Sequence, residues 1–400
     1  MPGKTTLINR PKSPDQSSLQ PAPEGGAAVN PVRPDRLYAI NNFDLIRLLA
    51  ALQVAFHHLI QQLKIEPSGI IFSSIFKITS LFPGVPVFFF VSGFLISKSY
   101  ENSSHILSYF KNRVLRIYPA LMLCVALSVI SVIASGYYST ISLPIGKFIF
   151  WMFSQITIPG LYNPDFMRGY GSGVLDGPVW TLTVEMQLYI LIPIVYMLVS
   201  HYKKDINKSI IVLIVIFSII NTIFSVAQDD AVFKTGVLFK LFNISFLPWF
   251  FMFLLGVFCQ KNFATLYKYF HGKLFYVLGS YLLIFYSLGV WWHLNLSIIN
   301  PLMQLGLAMV IFSFAYSYTN VSNKLLRHND ISYGLYLYHM PVCNYFIYLG
   351  LEHNKIYLYL AVLLASIIAY ISWISLEKPA LLLKKYSINP INWRYRMTNG

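Results

Sequence analysis

The chain has 400 residues, 56% of them hydrophobic and only 11% charged, with a mean hydropathy of +0.58 and a formal net charge of +15. A soluble domain carries about 25% charged residues, so the polar shell of a water-soluble protein of this length is missing. The basic excess is divided among short segments between apolar runs, which argues against a nucleic-acid-binding patch and for membrane topology.

Residues 1–40 are polar and rich in Pro, Ser and Gly. They contain no apolar core or small-residue cleavage site, and read as a disordered cytoplasmic tail rather than a signal peptide. A bilayer-crossing helix needs about 20 apolar residues. Such segments fall near 43–63, 82–99, 118–136, 178–200, 209–227, 240–259, 273–292, 297–318, 332–351 and 355–376. The sequence therefore predicts an all-α integral membrane protein with about ten transmembrane helices over 41–378, and a short cytoplasmic tail over 379–400. The second segment opens on Pro83, Gly84 and Pro86, which suits a broken or tilted helix.

Alternate loops are basic. Lys98, Lys111, Arg113 and Arg116 share one, Lys203, Lys204 and Lys208 another, Lys261, Lys268 and Lys273 a third, and Lys324 and Arg327 a fourth. The intervening loops carry two basic residues at most. By the positive-inside rule both termini are expected in the cytoplasm. The longest outside segment, 137–177, is partly aromatic and suits an interfacial or re-entrant element or a lid. Cys124, Cys259 and Cys343 lie inside apolar runs without CxxC spacing, so buried reduced thiols are expected, and no metal.

Ionisable side chains inside a span cost about 2.5–3.5 kcal/mol each on the insertion scale, which makes a functional role the first hypothesis. In the first span, Asp44 and Arg47 are three apart and can pair on one face. Arg47 and His58 are nearly three full turns apart, so they share a face about 16 Å apart along the axis. His57 points roughly 100° away. Ser92 and Gly93, in PGVPVFFFVSGFLI, allow close approach of another backbone or of a thin acyl chain. Arg113 and Arg116, read as part of an inside loop, suit phosphate contact, although lipid headgroups and topology explain them equally. Glu185 lies within the fourth span, one turn from Thr181 and Tyr189, and needs a partner or a proton. His339 lies in the ninth. For each of these, a purely structural role tying helices together is the competing explanation.

Six stretches carry a resemblance in order: Arg47 and His58 separated by ten residues, FFFVSGFLI at 88–96, RVLRIYP at 113–119, GPVWTLTVEMQLY at 177–189, SYGLYLYHMP at 332–341 and LEKP at 376–379. Together they resemble the membrane-bound acyltransferase-3 family, which includes O-antigen and exopolysaccharide O-acetyltransferases. The chain departs from the family at Met186, where a second acidic residue is frequent, and at Tyr338, where Trp is. It also lacks the hydrolase-like domain fused to some members.

The resemblance implies an O-acyltransferase of the bacterial inner membrane. It would move an acyl group, usually acetyl, from cytoplasmic acetyl-CoA to a hydroxyl of an extracytoplasmic saccharide or glycolipid. On that expectation His58 is the general base, with a covalent acyl-histidine as the alternative. Arg47, steadied by Asp44, orients the site or binds donor phosphate, and Arg113 and Arg116 bind donor phosphates. Glu185 orients His58 or the acceptor, while Ser92, Gly93, Trp180 and His339 support the site. A transporter or flippase for a polyprenyl-linked sugar fits the helix pattern too, but it would not consume acyl-CoA. A silent scaffold would not need the costly buried charges.

Overall fold

In lipid every backbone N–H and C=O has to be satisfied within the protein, which leaves helices as the economical answer for apolar runs of this length. The computed structural model describes Tyr38 and residues 40–158, 162–292 and 295–386. The expected tail over 1–40 lies almost wholly outside the described residues, as does most of 379–400. Among the described residues there are helices and no strand.

The helices that build the site are α1 (Phe43–Gln62), α2 (Ile70–Ser80), α3 (Gly84–Glu101), α4 (Ile106–Ala134), α5 (Ile145–Thr157), α6 (Trp180–His201) and α7 (Ile206–Ala227). They continue with α8 (Phe250–Lys261), α9 (Phe263–Phe270), α10 (Leu274–Phe285), α11 (Asn300–Tyr316), α12 (Asn320–Leu326), α13 (Ser332–Tyr348) and α14 (Lys355–Ser372). Among the described residues, six helical segments are long and apolar enough to cross a membrane. Two bent pairs, α8 with α9 at 92° and α11 with α12 at 74°, raise the number to eight. The other two expected spans fall on shorter helices, α10 with its π-helical continuation and the 17-residue α13. The exterior is apolar, with Ile70, Ile149, Phe153, Val212 and Leu283 all exposed, as a surface solvated by lipid would be.

Three local readings are corrected. The stretch holding Arg113 and Arg116 is not a loop: it forms the first turns of α4, which starts at Ile106 and continues through Pro119. The segment 240–259 is not one helix. It holds the end of a short helix, Val237–Asn243, and most of α8, with a break between them that contains Pro248. Asn221 donates to the Pro248 carbonyl, so the backbone freed by the break is satisfied from α7. The second segment is not itself broken: α3 runs uninterrupted from Gly84 to Glu101 through Pro86, and the chain is interrupted only ahead of it, between the end of α2 at Ser80 and Pro83.

Helices α3 and α8 cross in backbone contact. A Cβ on Gly93 would overlap the Phe253 carbonyl oxygen, and one on Gly256 would overlap that of Phe90. The two glycines are reciprocal, each receiving the other helix's carbonyl. Helix α13 lies at the centre, packed between α1 and α14 with α4 alongside. Leu335, Leu337, Tyr338, His339 and Cys343 on it are buried. A helix surrounded by protein in this way need not match the bilayer thickness by itself.

Candidate active site

Helix α1 is fixed at its start by Asn42. Its side-chain amide donates to the carbonyls of Ser317 (2.8 Å) and Phe314 (3.1 Å), and its Oδ1 accepts from Ser322 N–H (3.0 Å). These bonds tie α1 to the bend between α11 and α12 and so set the position of Arg47, one turn further on. Arg47 donates to Asp44 at 2.5 Å, the pairing expected from their spacing, and also contacts Asp330 Oδ2 at 3.0 Å.

Asp330 is the principal residue that the sequence did not reveal. Its Oδ2 is shared between Arg47 and Arg116. Its Oδ1 accepts from the N–H and hydroxyl of Ser332 at the start of α13. One buried carboxylate thus holds the first residue of α13 and clamps guanidiniums from α1 and α4. Burial alone would raise the Asp330 carboxyl, but Arg47 and Arg116 outweigh it and hold it well below the usual carboxylate range. The available signal was an acid two residues before an apolar helix, in HNDISYGLYL, which reads equally well as a turn.

These residues form the mouth of a cavity of about 360 Å³. Arg113, His328 and Lys384 also line it. Arg113 donates to Ser99 at 3.2 Å and lies over the rings of Tyr109 and Tyr189. The buried Nε atoms of Arg47 and Arg113 have no acceptor among the described residues, which leaves N–H capacity for an anion. The cavity then follows α3 along Ile96, Leu95, Ser92, Phe89, Phe88 and Val85. This is a single helix face about 16 Å long. Glu185 stands midway, accepting from Ser92 (2.9 Å) and Tyr189 (2.5 Å). Tyr336, bonded to Thr181 (2.6 Å) and the Pro178 carbonyl (2.8 Å), lines the cavity at its apolar end.

His58 does not line this cavity. Its Nδ1 meets His339 Nε2 at 3.2 Å, and His339 lies 6.1 Å, centroid to centroid, from the Tyr336 ring. The histidine pair therefore stands just behind the cavity wall. Of the candidates, Asp44, Arg47, Ser92, Arg113, Arg116 and Glu185 are gathered around one space. The hydrogen bonds of Glu185 go to Ser92 and Tyr189, and the partner of His58 is His339. Gly93 serves the contact with α8, and Trp180 packs against Trp249 at 5.1 Å. His57 faces away from His58 and bonds to Thr79 at 2.9 Å.

The site is thus an anion-ready mouth leading along one face of α3, with Glu185 midway. The family model described as an acyltransferase domain matches residues 40–375. A relative named nodulation protein 10, from Rhizobium leguminosarum bv. viciae, is 30% identical over 375 residues, covering 86% of this chain and 94% of its own length. One named O-acetyl transferase, from Shigella phage Sf6, is 26% identical over 355 residues, covering 86% and 96%. No solved structure matches. The chain belongs to the acyltransferase-3 family of membrane-bound acyltransferases.

Proposed function

We propose that the protein moves an acyl group, acetyl in the first instance, from acyl-CoA to a hydroxyl of a saccharide or glycolipid on the far side of the bacterial inner membrane. In this reading the chain crosses the membrane ten times with both ends in the cytoplasm, so the arginine mouth opens on the donor's compartment. The observation that carries the reading is the cavity itself: guanidiniums at the mouth, then about 16 Å of apolar helix face ending beside the histidine pair. Nucleotide phosphates suit Arg47, Arg113 and Arg116, and the thin pantetheine arm suits the throat.

The acceptor oxygen bonds to the acyl carbon while its proton passes to Nε2 of His58. The carbon–sulfur bond then breaks, and the same proton leaves with the thiolate as CoA thiol. Glu185, held by Ser92 and Tyr189, flanks the path of the arm. Because the Tyr336 ring stands between the cavity and the histidine pair, donor binding has to displace that ring, and not His339, for the reaction to occur.

The test is purified protein in lipid, supplied with acetyl-CoA and a glycan extract of the producing cells. Thiol release should depend on the extract and fall by at least about 10²-fold in His58→Ala. Thiol release at the wild-type rate in His58→Ala would remove the base. Glycan translocation without consumption of acetyl-CoA would favour a flippase.

A further inference from the structure

His339 is completely buried in the middle of α13. Its two ring nitrogens face different partners: Nδ1 lies 3.2 Å from the Leu335 carbonyl oxygen, and Nε2 lies 3.2 Å from His58 Nδ1. A carbonyl only accepts, so the hydrogen of the neutral His339 ring is on Nδ1 and Nε2 is a bare lone pair. That lone pair requires a hydrogen on His58 Nδ1, and in a neutral His58 the remaining lone pair is then on Nε2. The two rings are nearly coplanar, with an interplanar angle of 11° and centroids 5.4 Å apart. That separation is the N···N gap plus roughly one ring radius at each end, so the bond runs along the line between the rings.

We propose that His339 is the positioning residue for His58. It fixes the tautomer that presents Nε2 as base, and it receives the hydrogen bond of the imidazolium that forms when the acceptor hydroxyl gives up its proton. No other proton moves in this step. The proton taken at Nε2 later leaves with the thiolate, while the hydrogens on His58 Nδ1 and His339 Nδ1 stay in place throughout. The hydrogen-bond chain ends on the Leu335 carbonyl, where a serine-hydrolase triad would have a carboxylate. The proposal rests on the reading of His58 as base.

The experiment pairs two variants with a spectroscopic measurement. In His339→Leu the acceptor for His58 Nδ1–H is gone, and turnover of acetyl-CoA should fall about 100-fold with KM for acetyl-CoA little changed. In His339→Gln the amide oxygen can still accept that hydrogen, and turnover should recover to within about 10-fold of wild type. Nitrogen NMR of histidine-labelled protein in lipid, assigned by loss of the His58 signal in His58→Ala, should show Nδ1 protonated and Nε2 bare in wild type and a mixture in His339→Leu. A His58 signal with Nδ1 bare in wild type overturns the proposal. So does wild-type turnover in His339→Leu, or His339→Gln as slow as His339→Leu when both melt like wild type. Should His339→Leu fail to fold, the glutamine variant and the wild-type spectrum decide. Wild-type turnover in His58→Ala would refute the base reading alone, since the spectrum tests the hydrogen bond independently.

Discussion

Replacing Asp330 by Asn keeps the side-chain volume and can keep a bond to Ser332, but it removes the negative charge between two guanidiniums. The Asp330 side chain is 7% exposed, Arg116 17% and Arg47 23%. A charge pair about 4 Å apart is worth about 4 kcal/mol at an effective dielectric constant of 20. Much of that gain offsets the cost of taking the carboxylate out of water, a cost that disappears with the charge. Arg47 also keeps Asp44 as a partner, so the loss falls mainly on Arg116. The net expectation is about 3 kcal/mol, the lower end of what breaking a buried pair costs, and a Tm about 5–10 °C lower in lipid nanodiscs. The control is Asp44→Asn, whose side chain is 43% exposed and whose loss should cost under about 1 kcal/mol. The pH dependence has a definite sign. Asp330 is more acidic folded than unfolded, where an aspartate titrates near 3.9. Its contribution is therefore complete above about pH 5 and is lost as the pH falls from there through the folded value. The melting deficit of Asp330→Asn should be constant from about pH 5 to 8 and shrink below about pH 4. A deficit under about 1 °C at pH 7, or one that grows on acidification, would refute the clamp.

Gly93→Ala and Gly256→Ala should each reduce the folded fraction recovered by size exclusion, costing about 3 kcal/mol, because a Cβ there meets a backbone carbonyl that cannot step aside. Gly279→Ala, in open space on α10, should be neutral or stabilise by up to about 1 kcal/mol. Arg113→Ala should raise KM for acetyl-CoA about 10- to 100-fold at nearly constant kcat, and the difference should vanish with acetyl-pantetheine, which has no phosphates for the arginine to hold. Glu185→Gln, which can still accept from Ser92 and Tyr189, should change stability by less than about 1 kcal/mol while lowering turnover in the thiol-release assay.

What was legible in the sequence was whatever local period and composition determine. The shared face of Arg47 and His58 follows from helix geometry, and so does the Asp44–Arg47 pair. Pro83 and Gly84 announced the break before α3. Hydropathy reports composition and not backbone course, so the apolar run through Pro248 read as one helix, and the basic start of α4 read as a loop. The contacts that complete the site join distant positions. His58 meets His339, and Arg116 meets Asp330, across hundreds of residues, and no spacing rule links them. Gly93 was visible as a point of close approach, but its reciprocal Gly256 looked like any glycine in an apolar run. Asp330 was hidden because a lone acid before a helix ordinarily does nothing more than cap it.

The wall at Tyr336 has a bioenergetic consequence. A bore running from one face of an energised membrane to the other, with two imidazoles along it, would conduct protons and drain the gradient on which the cell depends. The throat ends instead against a phenol pinned to Thr181 and the Pro178 carbonyl, so on the proposed topology it would not join the two faces of the membrane.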